Sequence, residues 1–327
     1  MKNVKKPLII MAMAAFALTG CTDSDEGIIP EEIPFVPPTA EAFAGLRAVA
    51  MENRLQTTSF NAEDGVVFTS EKGVLLTISG GCIMDANGDP VTGEVQLDYM
   101  EIFEKGNMMV TNKPTMGVTP EGDKALLVSG GEFYVMVTQD GEELQSYCAI
   151  QMTVPPDLTG GIDEDMTFWT GAIDDDGNLA WNQKERNDDE GGVFIDHNQY
   201  FVISNQFGWT NVDRFFSDAR PKTTLQVEVP EGFDAQNCAV YLSYDGEENA
   251  LAQLDTYDEN TGRFSEHYGQ IPVGLEMHII FVTEENDEWR YAIQGVTVAA
   301  GDIYSFDLEE TATASEEEVI QIIAQLP

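Results

Sequence analysis

The chain carries 58 Asp and Glu residues but only three histidines, His197, His267 and His278, so the chemistry most open to it is that of carboxylates. No His-Glu-x-x-His, Cys-x-x-Cys or Gly-x-Ser-x-Gly pattern occurs, which leaves motif-borne zinc, redox and serine chemistries without their carriers. His267 and His278 read as polar surface or edge positions. Hydrolysis by two carboxylates needs no motif, only a separation of about 5–10 Å. So many acids make pairs abundant, and a carboxylate-based hydrolase therefore stands as one alternative.

The same hard oxygens suit calcium, and two loops offer them in series: Asp85, Asn87 and Asp89, then Asp174, Asp176 and Asn178. Neither loop ends on the bidentate Glu of a complete calcium loop, and Asn-Gly and Asp-Gly also build hairpin turns. Both are read first as turns, with calcium as the alternative ligand and no other cofactor expected. A further constellation gathers Trp209 with Phe207, Phe215 and Phe216 beside Asn211 and Asp213. On a surface, such rings and polar groups would stack on sugars and bind their hydroxyls. At the start of a second sandwich, Trp209 would instead be core, and that reading comes first.

With 16 Lys and Arg residues the formal net charge is −42 over 327 residues, while 43% of the residues are hydrophobic. That apolar content supports buried cores, so the acidity belongs to the surface of a folded protein. Such a field repels phosphate backbones, which excludes nucleic acid as a partner. In salt it is screened and favours solubility.

The N-terminus carries an address. Lys2, Lys5 and Lys6 precede an apolar run from Leu8 to Leu18, which as a helix would span about 16 Å, roughly half the hydrocarbon thickness of a bilayer. That is the length of a signal-peptide core. The ending Leu18-Thr19-Gly20-Cys21 resembles a bacterial lipobox, which implies cleavage after residue 20 and acylation of Cys21. More than one acyl chain is needed for stable anchoring. The acidic stretch Thr22 to Gly27 resembles the surface-export signal of Bacteroidota lipoproteins, and Pro30, Pro34, Pro37 and Pro38 stiffen the segment after it. Residues 21–39 are therefore expected to be a lipidated tether, with the membrane as partner through Cys21 and the outer face of the outer membrane as location. Cys82 and Cys148 share one predicted domain in an oxidising compartment, but nothing in the sequence brings their Cα atoms into range. Free thiols are expected there, with a bridge as the alternative, and Cys238 reads as a buried small hydrophobe.

The elements that must position these residues are mostly strands. Phe43, Leu46 and Ala50 or Met51 mark one face of a short helix after Thr39. Alternating runs separated by turn signals then predict an all-β fold of two β-sandwich domains in tandem, at 40–157 and 195–310. A loop-rich connector with a short hairpin is expected at 158–194, with Trp169 and Trp181 plugging the domain junction. Ser315 and Glu318 form a capping box that starts a C-terminal helix within 311–327, its apolar face of Val319, Ile320, Ile323 and Leu326 docking on a domain.

Three groups of residues carry a resemblance: Gly73 to Ile78, Asn87-Gly88-Asp89-Pro90-Val91-Thr92-Gly93-Glu94-Val95, and Glu101-Ile102 through Lys105-Gly106-Asn107-Met108 to Leu127-Val128-Ser129-Gly130-Gly131-Glu132-Phe133. This pattern resembles the N-terminal module of uncharacterised Bacteroidota surface lipoproteins and, more distantly, the spectrin-binding β-sandwich of ankyrins. Phe207 to Asp213 fits the same lipoprotein group, and the second unit is similar to transthyretin-like or immunoglobulin-like sandwiches. The resemblance implies a binding or structural role and supplies no catalytic residue. The expectation is a lipid-anchored surface lipoprotein that is not an enzyme, with an envelope protein or a polysaccharide as candidate partner. A cell-surface glycan-binding protein is the first alternative.

Overall fold

Strands such as Glu94–Ile102 arise from period-two patterning, with Val95, Leu97 and Tyr99 buried on one side of the pleat and Gln96 and Asp98 on the other. The same pattern recurs through most of the chain, and the computed structural model is all-β with three small α-helices among its described residues. Residues 35–173, 179–185 and 191–327 are described. The signal peptide at 1–20, Cys21 and the tether as far as residue 34 lie outside them, as do Asp174, Asp176 and Asn178.

Two sheets build the first sandwich. The larger runs in the order Gln56–Asn61, Glu94–Ile102, Lys124–Gln139, Gly208–Phe215, Thr167–Ile173, Leu179–Lys184 and Met116–Val118. The other runs Gly191–Asp196, Gln199–Ser204, Ile150–Val154, Leu75–Ser79 and Gly65–Thr69. Leu76, Leu97, Phe133, Met152, Val202 and Val212 meet between them in an apolar core. The larger sheet also curls on itself. Met116–Val118 pairs in parallel with Leu179–Lys184 and antiparallel with the start of Lys124–Gln139, which closes a ring of five strands.

This arrangement moves the boundary expected between the modules. By position in the chain, residues 167–215 belong to a connector and to the start of the second sandwich, yet their strands pair with Lys124–Gln139 and Ile150–Val154. Local alternation marks a strand but not its partner, and here the partners are long-range. The second sandwich therefore begins at Lys222–Glu228. It holds a four-stranded sheet, Thr256–Asp258, Arg263–Pro272, Lys222–Glu228 and Ile303–Ser305, and a five-stranded one, Ala252–Gln253, Cys238–Tyr244, Glu276–Glu285, Glu288–Thr297 and Ala312–Ala314.

A second core joins the two modules. Trp169, Trp181 and Trp209 share it with Tyr241, Ile280 and Trp289 of the five-stranded sheet, so the ring strands face one core on each side. Trp169 and Trp181 do fill the junction, donating from Nε1 to the carbonyls of Asp213 at 2.8 Å and Pro114 at 3.1 Å. Every residue of Cys238–Tyr244 is buried for the same reason: its sheet has cores on both faces.

The helices seal this junction. α1, Ala40–Glu52, is capped by the Thr39 hydroxyl and buries Phe43 and Ala50. α2, Lys105–Val110, is almost wholly buried. α3, Glu316–Ala324, begins at the Ser315–Glu318 capping box and buries Val319 and Ile323. α3 lies so close to α2 that a Cβ on Gly106 would stand 2.4 Å from the carbonyl oxygen of Ile320, which only glycine permits. Arg54 of the α1 end binds Glu316 at 2.8 Å and Asn107 at 2.8 Å, tying all three together.

One cysteine expectation is corrected. Cys82 and Cys148 form a disulfide, with Cα atoms 5.4 Å apart across 66 residues of chain. The short ladder Ile83–Met84 with Gln145–Ser146 brings them together, a pairing that no local signal announced. Cys238 is a buried free thiol, as expected.

Candidate functional site

The residues singled out as a sugar-stacking surface are instead interior. Trp209 is 8% exposed, and Asn211 and Asp213 are fully buried. The indole of Trp209 is occupied by Tyr134 at 5.2 Å, Trp181 at 6.4 Å and the Lys113 ammonium at 5.5 Å, so no sugar can stack on it. The core reading of this residue holds.

Asn211 and Asp213 belong to a buried polar cluster completed by Glu132 and Ser129, their partners across the ladder. Asn211 Nδ2 donates to Asp213 Oδ2 at 2.5 Å, the Ser129 hydroxyl to Asn211 Oδ1 at 3.1 Å, and the Gly131 amide to Ser129 at 3.0 Å. A bulge between Asn211 and Asp213 faces Gly130 and Gly131, the latter at φ 125°, and lets all these side chains share one face. Both oxygens of Glu132, and Oδ1 of Asp213, have no hydrogen-bond partner among the described residues. Burial pushes Glu132 well above the usual carboxylate range, the Asp213 charge pushes it further, and Lys113 opposes both. Burial does the same to Asp213 against the nearby dipoles of Ser129, Gly130 and Asn211. Lys113 is lowered to about 8, chiefly by its own burial. Burial inside the junction, closed to solvent, thus favours the neutral forms of both carboxyls and of Lys113.

The first calcium candidate is a turn. Asp85 Oδ1 accepts from the amides of Asn87 and Asp89, both at 2.9 Å, and Asp85 Oδ2 accepts from Asn87 Nδ2 at 3.2 Å. Those bonds, the one from Asp89 foremost, hold the Asp85 carboxyl below its usual range. The loop thus supplies the donors that satisfy its own carboxylate. The second candidate, Asp174, Asp176 and Asn178, lies outside the described residues. Of the histidines, His278 Nδ1 lies 2.8 Å from Asp245 and His197 pairs with its exposed neighbour Asp196.

A solvent-connected site that the sequence did not announce lies where α1 meets the second sandwich. A cleft of about 520 Å³ is lined by Phe43 and Arg47 of α1 together with Gln253, Asp255, Tyr257 and Phe264. Arg47 Nη2 donates to the Tyr241 hydroxyl at 3.0 Å, and that hydroxyl donates to Asn112 at 2.5 Å. The guanidinium rests 4.1 Å from the Phe43 ring centre, a cation–π placement. Its Nε is buried without a partner among the described residues. Asp255 Oδ2 accepts from Lys124 at 2.5 Å, while its Oδ1 is likewise buried and partnerless among them. Tyr257 and Phe264 pack at a tilt beside them, their ring centres 4.9 Å apart. Size, rings and a few convergent polar groups are what a small-ligand site requires. Asp255 and Tyr257 are near neighbours in the chain, but nothing in the spacing could have joined Arg47 to them, because it comes from α1 at the other end of the sequence.

Comparison of the chain with protein-family models and with curated proteins finds no match.

Proposed function

We propose that this protein is a lipid-anchored surface lipoprotein of the bacterial outer membrane, in which two β-sandwiches form a stiff, non-enzymatic binding or structural body. The observation that carries the anchor is the run Leu18-Thr19-Gly20-Cys21 followed at once by an acidic and Pro-rich stretch. Where the described chain begins, it is already strapped to the second sandwich. Asn237 Nδ2 donates to the Pro38 carbonyl at 3.2 Å, and Pro37 lies against Gly232, where a Cβ would stand 2.6 Å from its ring. The resemblance to Bacteroidota surface lipoproteins agrees with this placement.

Two features favour binding over hydrolysis. Glu132 and Asp213, the carboxyl pair that the fold gathers in a polar cluster, are sealed from water, whereas a glycoside-cleaving pair must reach both its substrate and a water. The cleft at Arg47, by contrast, offers recognition groups of both signs beside rings.

The test is localisation in the native host. Wild type is expected in the outer membrane, labelled by a radioactive fatty acid and cut by protease added to intact cells. Cys21→Ser should lose the label and leave the membrane fraction. A Cys21→Ser protein that still sediments with membranes, or a wild type that takes no label, would overturn the reading.

A further inference from the structure

We infer that the cleft at Arg47 binds a short zwitterionic peptide through its terminal carboxylate. Five arginines, Arg54, Arg214, Arg220, Arg263 and Arg290, each pair with a carboxylate of this acidic chain. Arg47 stands apart from them. Among the described residues its hydrogen-bond partner is the neutral Tyr241 hydroxyl, and its Nε has none. A guanidinium presents a planar fork of donors that matches a carboxylate. In a chain with 58 acids, a cation that lines a concave site beside Asp255 and Glu259 yet pairs with neither is left to receive an anion from outside.

The rest of the cleft narrows the class. A net charge of −42 repels any polyanion before contact, and Asp255 and Glu259 line the same walls. The ligand must therefore bring cationic or N–H groups along with its carboxylate. Glu259 is exposed and supplies the acceptor, while the Asp255 carboxylate, with Oδ2 held by Lys124 and Oδ1 buried, adds negative charge to the wall. The tilted pair of Tyr257 and Phe264 rings offers an apolar wall for a side chain. Carboxylate, ammonium and apolar side chain are the parts of a peptide C-terminus with a basic residue nearby. A volume of about 520 Å³ suits a few residues more than one amino acid.

This inference rests on the binding role proposed for the protein and is independent of the lipid anchor. Its test is calorimetric titration of the full-length, detergent-solubilised protein with Lys-Ala-Phe and with the same tripeptide amidated at its C-terminus. The free acid should bind saturably, and the amide roughly tenfold to a hundredfold more weakly, the range expected for losing charge-assisted hydrogen bonds. Arg47→Gln should weaken the acid by a similar factor and abolish the difference between acid and amide. Glu259→Gln, at an exposed position, should weaken both peptides by a smaller factor. Equal binding of acid and amide, unchanged binding by a folded Arg47→Gln variant, or no saturable heat with wild type would each overturn the assignment. If Arg47→Gln does not fold, the acid and amide comparison on wild type decides. A failed titration leaves the localisation result untouched, and a failed localisation leaves the titration valid.

Discussion

The two cores of this protein are built by different rules. The core of the first sandwich is apolar except at one end, where buried Glu101 accepts from Ser70 and Tyr99; it is drawn from alternating strands of two sheets, with the Cys82–Cys148 bridge tying strand-end loops nearby. The junction core holds Trp169, Trp181, Trp209 and Trp289 beside Lys105, Lys113, Glu132 and Asp213, all of them nearly or fully buried. Each buried charge without a full set of partners costs stability. The first core thus mainly supplies cohesion, while the second fixes how two sandwiches meet and carries polar groups that hydrophobic residues would outdo for stability alone.

Breaking the junction should have the largest effect. Trp181→Ala removes a fully buried indole from the ring and from the contact between modules, and a loss of about 3–5 kcal/mol is expected. Because the core is shared, urea unfolding of wild type followed by tryptophan fluorescence and by far-ultraviolet circular dichroism should give one coincident transition. Two separated transitions would mean that the modules are energetically independent.

Opening the staple comes next. A Cys82→Ser, Cys148→Ser double variant should lose about 2–4 kcal/mol, since the bridge closes a long loop of the unfolded chain. Thiol titration of the denatured, non-reduced mature protein should find Cys238 as the one reactive thiol when Cys21 is acylated. Three reactive thiols would contradict the bridge.

The smallest effect is the one that most sharpens the contrast. Glu132 and Asp213 are held above their unfolded values, so the stability they contribute is complete below about pH 4 and is lost as pH rises toward the folded values. Lys113, at about 8 against 10.5, acts in the opposite sense, and its burial is relieved only as pH climbs through that window. Glu132→Gln should therefore raise stability at neutral pH by about 1–3 kcal/mol and flatten the decline in urea midpoint between pH 5 and 8. An unchanged slope would show that Glu132 does not hold the proton.

Legibility in the sequence divides along the same line. Features set by neighbours in the chain were legible: the Ser315–Glu318 box, the Asp85 turn, the α1 face with Phe43, and the strands of the apolar core. Trp169 and Trp181 were legible as junction residues because large rings in a polar stretch need cover. The module boundary was not, because Gly208–Phe215 alternates in the same way whichever sandwich claims it. Glu132 alternates away from Phe133 and Val135, onto a face that a half-buried sheet would give to solvent, and it is buried because the junction core covers that face. The cleft was illegible for a simpler reason. Arg47, Asp255 and Tyr257 are brought together by the docking of α1, a contact between segments some two hundred residues apart.

The ring closed by Met116–Val118 also decides how the larger sheet ends. An open sheet ends in rows of unpaired amides and carbonyls that invite another chain to add on. By pairing on both sides, that three-residue strand joins Leu179–Lys184 to Lys124–Gln139 and leaves neither flank bare there, so the most aromatic part of the molecule is shielded from edge-to-edge aggregation.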